Sequence, residues 1–503
     1  MAVLFSGTST AIIAILYVLW RLFTNTGPRL PKGVPIIGAR KGDWFPFWQA
    51  TLRNSLDVKN AALEAYTEYK DQTAILPVAG PGGATLVVLP VSETQFVTEQ
   101  PESVLNLREV INAGLLYKYT VSDHLITSHP VHQKLVALTL TNQIGNLLDA
   151  LTNETAWSFK EQWGANTETF RDICVWDSLG RIVASVTNRA FVGLPHCRDP
   201  VLLDSGFAFA RVLPLSARLL SFVWAPLRPL AAPLITLPNR YYERRFTGVL
   251  LPEVKKRLRS YRVKGPGEEK AHDGEANDFL QWAIEQAIES GHQAMWEPRT
   301  LAGRILLLNL VSIHTSSLTV TNVLLDLASS KREYIDELRA EVTTCLAETK
   351  GVWTKAALSK MEKLDSVFRE SARLNTLVAV GLRRRVVAKE GVTTPSGVHI
   401  PYGNICAVPS LGVLTDDAKY PAAGEFHPFR FVELRQQINS GNRPEDHVQR
   451  SRMSFPATSC DYLAFGNGRQ ACPGRFFAAA ELKLMLGYML LHYDIEMLDK
   501  RPP

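Results

Sequence analysis

The chain has 503 residues, 46% of them hydrophobic, and its formal net charge at pH 7 is +6. This composition is typical of a globular protein with a large apolar core. The net charge is modest for this length and no block of like charges forms a basic or acidic tail, so we expect no nucleic-acid partner.

The N-terminal segment has the composition of a membrane anchor. The first twenty residues carry no charged side chain, and Ala11–Trp20 is apolar. A span of about twenty residues crosses a bilayer. Arg21, Arg29 and Lys32 follow, which places the downstream chain in the cytosol by the positive-inside rule. We therefore predict an anchor over residues 1–27, with a cleavable signal peptide as the alternative.

Three prolines, Pro28, Pro31 and Pro35, punctuate the segment that follows. Proline restricts φ and stiffens the chain around it. We expect a stiff segment between the anchor and the domain predicted over residues 28–503.

The pattern downstream indicates a mainly helical domain with a small β portion. Ala61–Tyr69 is helical in pattern, and Ala74–Val78 and Ala84–Leu89 are apolar runs typical of a hairpin. Residues 130–300 are mainly helical in pattern, with loops at proline- and glycine-rich tracts. Residues 385–410 return to short strands separated by turns.

Val201–Phe246 is unusually apolar and contains several prolines. Two interpretations stay open. The segment forms a buried helix pair, or it exposes an apolar surface that makes a second membrane contact beside the entrance for a lipophilic substrate.

Leu301–Ser330 has the pattern of a long helix, and Val311–Ser316 at its centre contains His314 and Thr315. Farther along the chain, Glu370 and Arg373 are spaced so that their side chains share one helix face and can pair. Such a pair is weak evidence alone, because most are solvated surface contacts.

Phe465–Gly474 is a glycine-rich loop that presents Cys472 just before a predicted helix. The glycines permit positive φ and close backbone approach, and N–H groups at a helix start favour a thiolate. A lone cysteine is more often a small buried hydrophobe, but the residues around this one favour a ligand. The other cysteines show no C-x-x-C spacing and are interpreted as free thiols in a reducing compartment: Cys174, Cys197, Cys345, Cys406 and Cys460.

This loop, preceded in order by E-x-x-R and by P-x-R-F at Pro428–Phe431, resembles the cytochrome P-450 family of haem-thiolate monooxygenases. The segment Phe465–Lys483 looks most like microsomal enzymes of filamentous fungi that act in secondary metabolism. The resemblance covers about residues 28–500 and implies the cytochrome P-450 fold as a single catalytic domain. It also implies haem b, with Cys472 as the axial iron ligand.

The resemblance assigns roles to the motif residues. It implies that Glu370, Arg373 and Arg430 form a buried charge cluster that locks the haem-side core. Loss of one partner would leave a buried charge uncompensated.

Within the cysteine loop, the resemblance assigns Phe465, Gly468 and Gly474 to haem binding. Arg469 is assigned to the motif arginine that pairs with a haem propionate, through charge-assisted hydrogen bonds. A second propionate contact is expected from Arg383–Arg385 without a choice among the three.

The resemblance also implies that Thr315 helps to deliver protons to oxygen on the distal haem face. His314 stands where the family usually has an acid, and it is either a second member of the relay or a packed spectator. The early-helix haem contact is not evident; His132 and Lys134 are the polar candidates. Substrate contacts are expected in Leu105–Leu116, near Val311 and around Leu377–Val380.

The expected reaction is the oxidation of a lipophilic terpenoid or polyketide-type metabolite with O2 and electrons from NADPH. The expected partners are NADPH-cytochrome P-450 reductase, with cytochrome b5 as a possible second donor. We expect a single-pass protein of the endoplasmic reticulum membrane with a cytosolic catalytic domain.

Family members typically continue beyond the position of Pro503 with a further β-hairpin, so the C-terminal hairpin is expected to be shortened. Two alternatives therefore stay open: a haem-thiolate isomerase or dehydratase that needs no reductase, and an inactive haem-binding homologue.

Overall fold

The computed structural model shows a mainly helical chain with a small β portion, as predicted. The chain divides into two compact units, one built from the residues up to 114 together with 379–413, and the other from 115–378 together with the residues from 414 onward. The prediction of a single catalytic domain stays a prediction. The predicted anchor over 1–27 lies outside the described residues, which are 29–79, 85–264, 276–438 and 444–498.

The helices are, in chain order, α1 (Pro46–Leu56), α2 (Val58–Thr67), α3 (Thr94–Glu99), α4 (Leu107–Leu115), α5 (Tyr117–Thr120), α6 (His124–Ser128), α7 (Val131–Lys134), α8 (Thr141–Trp163), α9 (Val175–Phe191), α10 (Pro200–Phe222), α11 (Arg228–Ile235), α12 (Leu237–Lys264), α13 (Phe279–Glu289), α14 (Pro298–Ala328), α15 (Arg332–Ala347), α16 (Lys355–Lys360), α17 (Glu362–Leu374), α18 (Ser410–Leu414), α19 (Arg430–Ile438), α20 (Pro444–Ser451) and α21 (Arg475–His492).

The strands belong to the first unit. They are β1 (Ala74–Pro77), β2 (Thr85–Val88), β3 (Leu105–Asn106), β4 (Gly381–Val386), β5 (Val392–Thr393), β6 (His399–Ile400) and β7 (Ile405–Val408). The larger sheet has the order β1-β2-β7-β4-β3, and β5 pairs with β6. The antiparallel pairing of β1 with β2 confirms the predicted hairpin.

The proline-rich segment is joined to this sheet. The Ile37 N–H donates to the Ile75 carbonyl at 2.9 Å, and the Ile75 N–H donates to the Pro35 carbonyl at 2.8 Å. Gly38 follows with φ +78°, and a Cβ there would lie 2.4 Å from the Asn54 side-chain oxygen. Only glycine fits this turn, so the stiff part of the segment ends where it docks on β1.

The second unit is organised around α14, which confirms the long helix predicted over Leu301–Ser330. It begins with Pro298, a residue suited to the first helical turn because its missing N–H would be unpaired there. Of the helices in the described ranges, α14 is the one long and apolar enough to cross a membrane, but most of its apolar stretch is buried within the protein. We therefore interpret α14 as a core helix.

The apolar stretch Val201–Phe246 forms α10, α11 and the start of α12, with both buried and exposed apolar side chains; the second membrane contact stays a prediction. Leu213 and Leu220 are fully buried, as expected for packed helices. Leu230 and Leu234 are 78% and 73% exposed. The exposed apolar side chains run from the second half of α10 to the start of α12: Leu215, Leu219, Phe222, Trp224, Leu227, Leu230, Leu234, Leu237 and Tyr241.

The last helix, α21, carries an acid in its buried face. Glu481 is 1% exposed, and its Oε1 accepts a hydrogen bond from the Thr187 hydroxyl of α9 at 2.7 Å. Burial raises the pKa of Glu481 to about 8, while the hydrogen bond from Thr187 opposes this shift. The folded protein therefore holds this carboxyl in its neutral form at pH 7.

The pH dependence of stability follows. In the unfolded chain Glu481 loses its proton near its ordinary pKa of 4.5, whereas the folded chain keeps it to about pH 8. The stabilisation is complete below pH 4.5, and between these values it falls by about 1.4 kcal/mol per pH unit. Glu481→Gln keeps an oxygen acceptor for Thr187 without a titrating proton, so its stability relative to wild type should rise with pH. Urea denaturation at pH 5.5 and 8 checks this; parallel pH profiles would contradict it.

Candidate functional site

The cysteine loop is held by backbone geometry. The Cys472 N–H donates to the Phe465 carbonyl at 2.9 Å, closing the loop at its base. Gly466 and Gly468 have φ of +73° and +72°, as the sequence predicted. Gly474 differs: its φ is −87°, and a Cβ there would lie at an ordinary 3.6 Å from Val136. Positive φ therefore explains the first two glycines but not the third.

The Cys472 thiol is exposed and lies just before the first turn of α21. Desolvation dominates and raises the pKa of the Cys472 thiol, while the backbone N–H groups of Gly474 and Arg475 and the charge of Arg475 offset part of this shift. These N–H groups belong to the start of a helix, where negative charge is stabilised. The loop is thus prepared to hold an anionic sulfur once a cation accepts it.

The assignment of Arg469 to the family's arginine position is wrong by one residue. That arginine stands two residues before the cysteine, and Gln470 occupies this place here. Arg469 is exposed and forms no ion pair with any carboxylate among the described residues. The side-chain oxygen of Gln470 is buried without a hydrogen-bond partner. The loop therefore offers an amide at the motif position and a free guanidinium beside it.

The loop lies next to α14. Phe465 packs on Phe455 with ring centroids 5.0 Å apart. Phe465 also lines a small cleft of about 30 Å³, to which α14 contributes Thr319 and Asn322. The structure thus brings the cysteine loop and the C-terminal half of α14 together, as expected from the resemblance.

One stripe of α14 is exposed although the rest of the helix is mostly buried. Val311 and Leu318 are 53% and 37% exposed, and Thr315 lies between them on the same face. The Thr315 hydroxyl donates to the carbonyl of Val311 at 2.9 Å and contacts that of Ser312 at 3.1 Å. The hydroxyl is therefore oriented by its own helix and accessible on an otherwise apolar surface.

His314 points elsewhere. Its ring packs 4.6 Å from the ring of Phe207 and stacks on Trp176 at 6.3 Å, between α10 and α9. Burial lowers the pKa of this imidazole, and the Arg211 charge lowers it further, while a hydrogen bond with the Phe207 backbone opposes the shift. The structure does not bring His314 and Thr315 together, which favours the packed spectator over the relay.

Glu370, Arg373 and Arg430 form the predicted charge cluster. Arg373 donates to both oxygens of Glu370 at 2.8 and 2.9 Å, and the Arg430 Nε lies 3.1 Å from the same carboxylate. The remaining N–H groups of Arg373 donate to the carbonyls of Leu414 and Ala423 at 2.7 Å. The cluster is fully satisfied and acts as an internal tie, without a group directed at the cysteine.

Sequence reasoning missed Arg304. This residue is 1% exposed on α14 and donates to the His129 carbonyl at 2.8 Å and to His132 Nδ1 at 3.3 Å. Burial and the charge of Arg304 lower the pKa of His132 to about 4, so this imidazole is neutral at pH 7. Lys134 is exposed. The sequence signal for this residue was that Arg304 is the one basic side chain in the apolar run Leu301–Ile313 of α14.

The segments expected to contact the substrate differ from one another in exposure, and the arginines expected to bind the second propionate lie in the sheet of the first unit. Val311, Leu377 and Val378 are about half exposed, whereas Leu105 is buried in β3. Arg383–Arg385 lie in β4 of the first unit, where Arg384 is 3% exposed and burial lowers its pKa to about 10.

The residues present fit a haem group. Among the described residues no cluster of three or more His, Cys, Asp or Glu could hold a metal. A single accessible thiol suits a metal that brings its other ligands with it. The partnerless Gln470 oxygen and the free Arg469 lie in the same loop. Cys472 would be the iron ligand, and the exposed guanidinium of Arg469, beside the motif position, would be available to a carboxylate of the group.

Comparison with known proteins supports this interpretation. The sequence profile of the cytochrome P450 family matches residues 118–503. The chain is 32% identical to cytochrome P450 monooxygenase olcJ of Penicillium canescens, over 92% of this chain and 82% of that protein. It is 29% identical to cytochrome P450 monooxygenase gloP of Glarea lozoyensis, over 91% of this chain and 85% of that protein. It is also 29% identical to cytochrome P450 monooxygenase 110 of Postia placenta, over 97% and 92%.

The buried cluster makes a prediction about stability. Glu370→Gln leaves two buried arginines without their counter-charge and should lower the free energy of unfolding by about 3–5 kcal/mol. The matched control is Asp204→Asn, the same change in a pair with Arg181 in which both side chains are 60% exposed. That control should lose at most about 1 kcal/mol. Urea denaturation followed by tryptophan fluorescence measures both, and equal losses would contradict a structural role for Glu370.

Proposed function

The chain belongs to the cytochrome P450 family of monooxygenases, and we propose that it oxidises a lipophilic secondary metabolite of the terpenoid or polyketide type. The observation that carries this proposal is the apolar stripe of α14, which exposes Thr315 between Val311 and Leu318, one turn before Thr319 in the cleft that Phe465 also lines. An apolar surface interrupted by one hydroxyl suits a substrate with few polar groups.

Haem, held by Cys472, would supply the activation of molecular oxygen, which no side chain can perform. The chain supplies the rest. Backbone N–H groups of Gly474 and Arg475 stabilise negative charge on the Cys472 sulfur. Thr315 Oγ donates its proton to the Val311 carbonyl, and its lone pairs on the exposed stripe can accept a hydrogen bond from a proton donor there and so orient that donor. Leu377 and Val378 add exposed apolar area for the substrate.

The proposed electron source is NADPH through cytochrome P-450 reductase, with cytochrome b5 as a second donor. Turnover that requires NADPH and the reductase supports this proposal. Conversion of substrate without them would identify an isomerase or dehydratase, and haem binding without any product would identify an inactive homologue.

The proposed location is the endoplasmic reticulum membrane, with one N-terminal span and the catalytic region in the cytosol. The apolar surface from Leu215 to Tyr241 supports a second contact with the bilayer, because exposed patches of this size mark interaction surfaces. Carbonate extraction of microsomes tests the anchor: recovery of the full chain in the soluble fraction would exclude it.

Replacement of the cysteine tests the site directly. Cys472→Ser removes the thiolate, and the carbon-monoxide difference spectrum of the reduced protein should lose its long-wavelength Soret band. The matched control is Cys460→Ser, a half-buried cysteine upstream of the loop, which should keep the band. A long-wavelength band retained by Cys472→Ser would exclude this residue as the iron ligand.

Thr315→Ala should uncouple NADPH consumption from product formation by about tenfold or more, because it removes the accessible hydroxyl that orients a proton donor. Thr315→Ser keeps the hydroxyl and should stay close to wild type. The ratio of product to NADPH consumed measures the effect, and unchanged coupling in Thr315→Ala would exclude the hydroxyl from the reaction.

A further inference from the structure

A second, larger cleft lies in the same unit and is distinct from the cysteine loop. Its volume is about 1020 Å³, and it is lined by the segment joining α5 to α6, by α11, by α12 and by the first turn of α14. Cavities of this size accommodate small organic ligands. None of the residues assigned above to the cysteine loop or to the α14 stripe lines this cleft.

The basic side chains that line the cleft have no carboxylate partner among the described residues. Lys118, Arg240, Arg244 and Arg299 are exposed, and none of them forms an ion pair with a carboxylate of the described chain. This leaves several N–H donors directed to solvent within one cavity.

Three acids line the cleft: two of them accept hydrogen bonds from hydroxyl groups, and the third, Glu297, is exposed. Glu243 accepts a hydrogen bond from Ser122 at 2.6 Å, and Asp123 accepts one from Thr300 at 2.6 Å. Burial raises the pKa of Glu243, while the Ser122 hydrogen bond opposes this shift. The charges of Arg240 and Arg244 also oppose it, but neither guanidinium forms an ion pair with Glu243 or Asp123 in the described chain.

The arginines come from one face of α12. Arg240, Glu243, Arg244 and Thr247 recur at helical spacing and line the cleft, while Phe246 between them is fully buried on the core side. The positions of the two guanidinium groups are therefore set by a packed helix instead of a loop.

The wall of the cleft that α11 forms is apolar. Pro229, Ala232 and Pro233 line the cleft from one face of α11, while Leu230 and Leu234 on its other face are exposed. A helix that shows apolar groups both to the cavity and to the outside forms a continuous apolar border for an occupant that has a hydrocarbon part.

We propose that this cleft binds an amphiphile with an anionic head, a phosphate or a carboxylate. The head would pair with Arg240, Arg244 and Arg299, and the apolar body would lie along α11. Arginine binds such oxyanions through two parallel N–H groups. The occupant comes either from the membrane, as an anionic phospholipid, or from solution, as a free anionic metabolite.

A pair of adjacent arginines on α12 gives a matched test. Arg244 lines the cleft, whereas Arg245 lies outside it and donates to the Tyr241 hydroxyl at 3.0 Å. R244Q and R245Q change the net charge equally and at neighbouring positions. Both side chains are exposed, and the carbon-monoxide spectrum of each variant reports whether the fold is intact.

The full chain in neutral detergent is titrated calorimetrically with dihexanoyl phosphatidic acid, with decanoate, with dihexanoyl phosphatidylcholine and with inorganic phosphate. We expect R244Q to weaken binding of an anionic amphiphile by about tenfold, and R245Q to change it less than twofold. Phosphatidylcholine and inorganic phosphate should bind at least about tenfold more weakly than the anionic amphiphile.

The two anionic probes separate the sources. Selective, Arg244-dependent binding of phosphatidic acid identifies a lipid headgroup, and selective binding of decanoate identifies a soluble metabolite. Equal effects of R244Q and R245Q, or binding of inorganic phosphate as tight as that of the amphiphiles, would overturn the proposal. The assay needs no turnover, so its result is independent of the proposed monooxygenase activity.

Discussion

One buried carboxylate fixes the part of the chain that leads to the cysteine. Glu370 is completely buried, and such a charge is tolerated only when its partners surround it. Arg373 and Arg430 supply the counter-charges, and their other N–H groups bind carbonyls between Leu414 and Glu425. Two arginines against one acid leave an excess positive charge, which these carbonyl dipoles offset. The connection after α18 therefore has little freedom, because any shift would remove a partner from a buried ion.

Two other side chains of α17, the helix that carries Glu370, bind the backbone just before the cysteine loop. Arg369 donates to the Ser454 carbonyl at 2.6 Å, and the Phe455 N–H donates to Asp365 at 2.8 Å. Phe455 in turn packs against Phe465, the first residue of the cysteine loop. Charge pairing, backbone hydrogen bonds and ring packing thus form a chain of contacts from Glu370 to the loop. The charge cluster therefore helps to position Cys472 through these intermediate contacts, although none of its side chains points at the cysteine.

Local patterns were sufficient to predict elements such as β1, β2 and α14, because apolar periodicity is set by neighbours in sequence. The charge cluster was predicted from the resemblance to the cytochrome P450 family, which rests on the order of E-x-x-R, P-x-R-F and the cysteine loop, because Arg430 meets Glu370 from 60 residues away. The sequence did not predict which helix a given side chain would contact. His314 turned toward Phe207, and Arg304 met His132 from 172 residues away, because both outcomes depend on which helices pack together. The error at Arg469 was one of register, where a nearby arginine was taken for the residue at Gln470.

Exposure has different consequences for the apolar and charged residues around α11 and α12. An unpaired arginine in water costs little, because its N–H groups are hydrated, so Arg240 and Arg244 can remain without partners in the folded chain. Exposed Leu230 and Leu234 do carry a cost, about 25 cal/mol for each Å² of apolar area left in water. A bilayer that covers these leucines recovers that free energy, while an anionic head in the cleft meets the arginines. The combination of exposed leucines on one side of α11 with unpaired arginines on the other is therefore better suited to an amphiphilic environment than to bulk water alone.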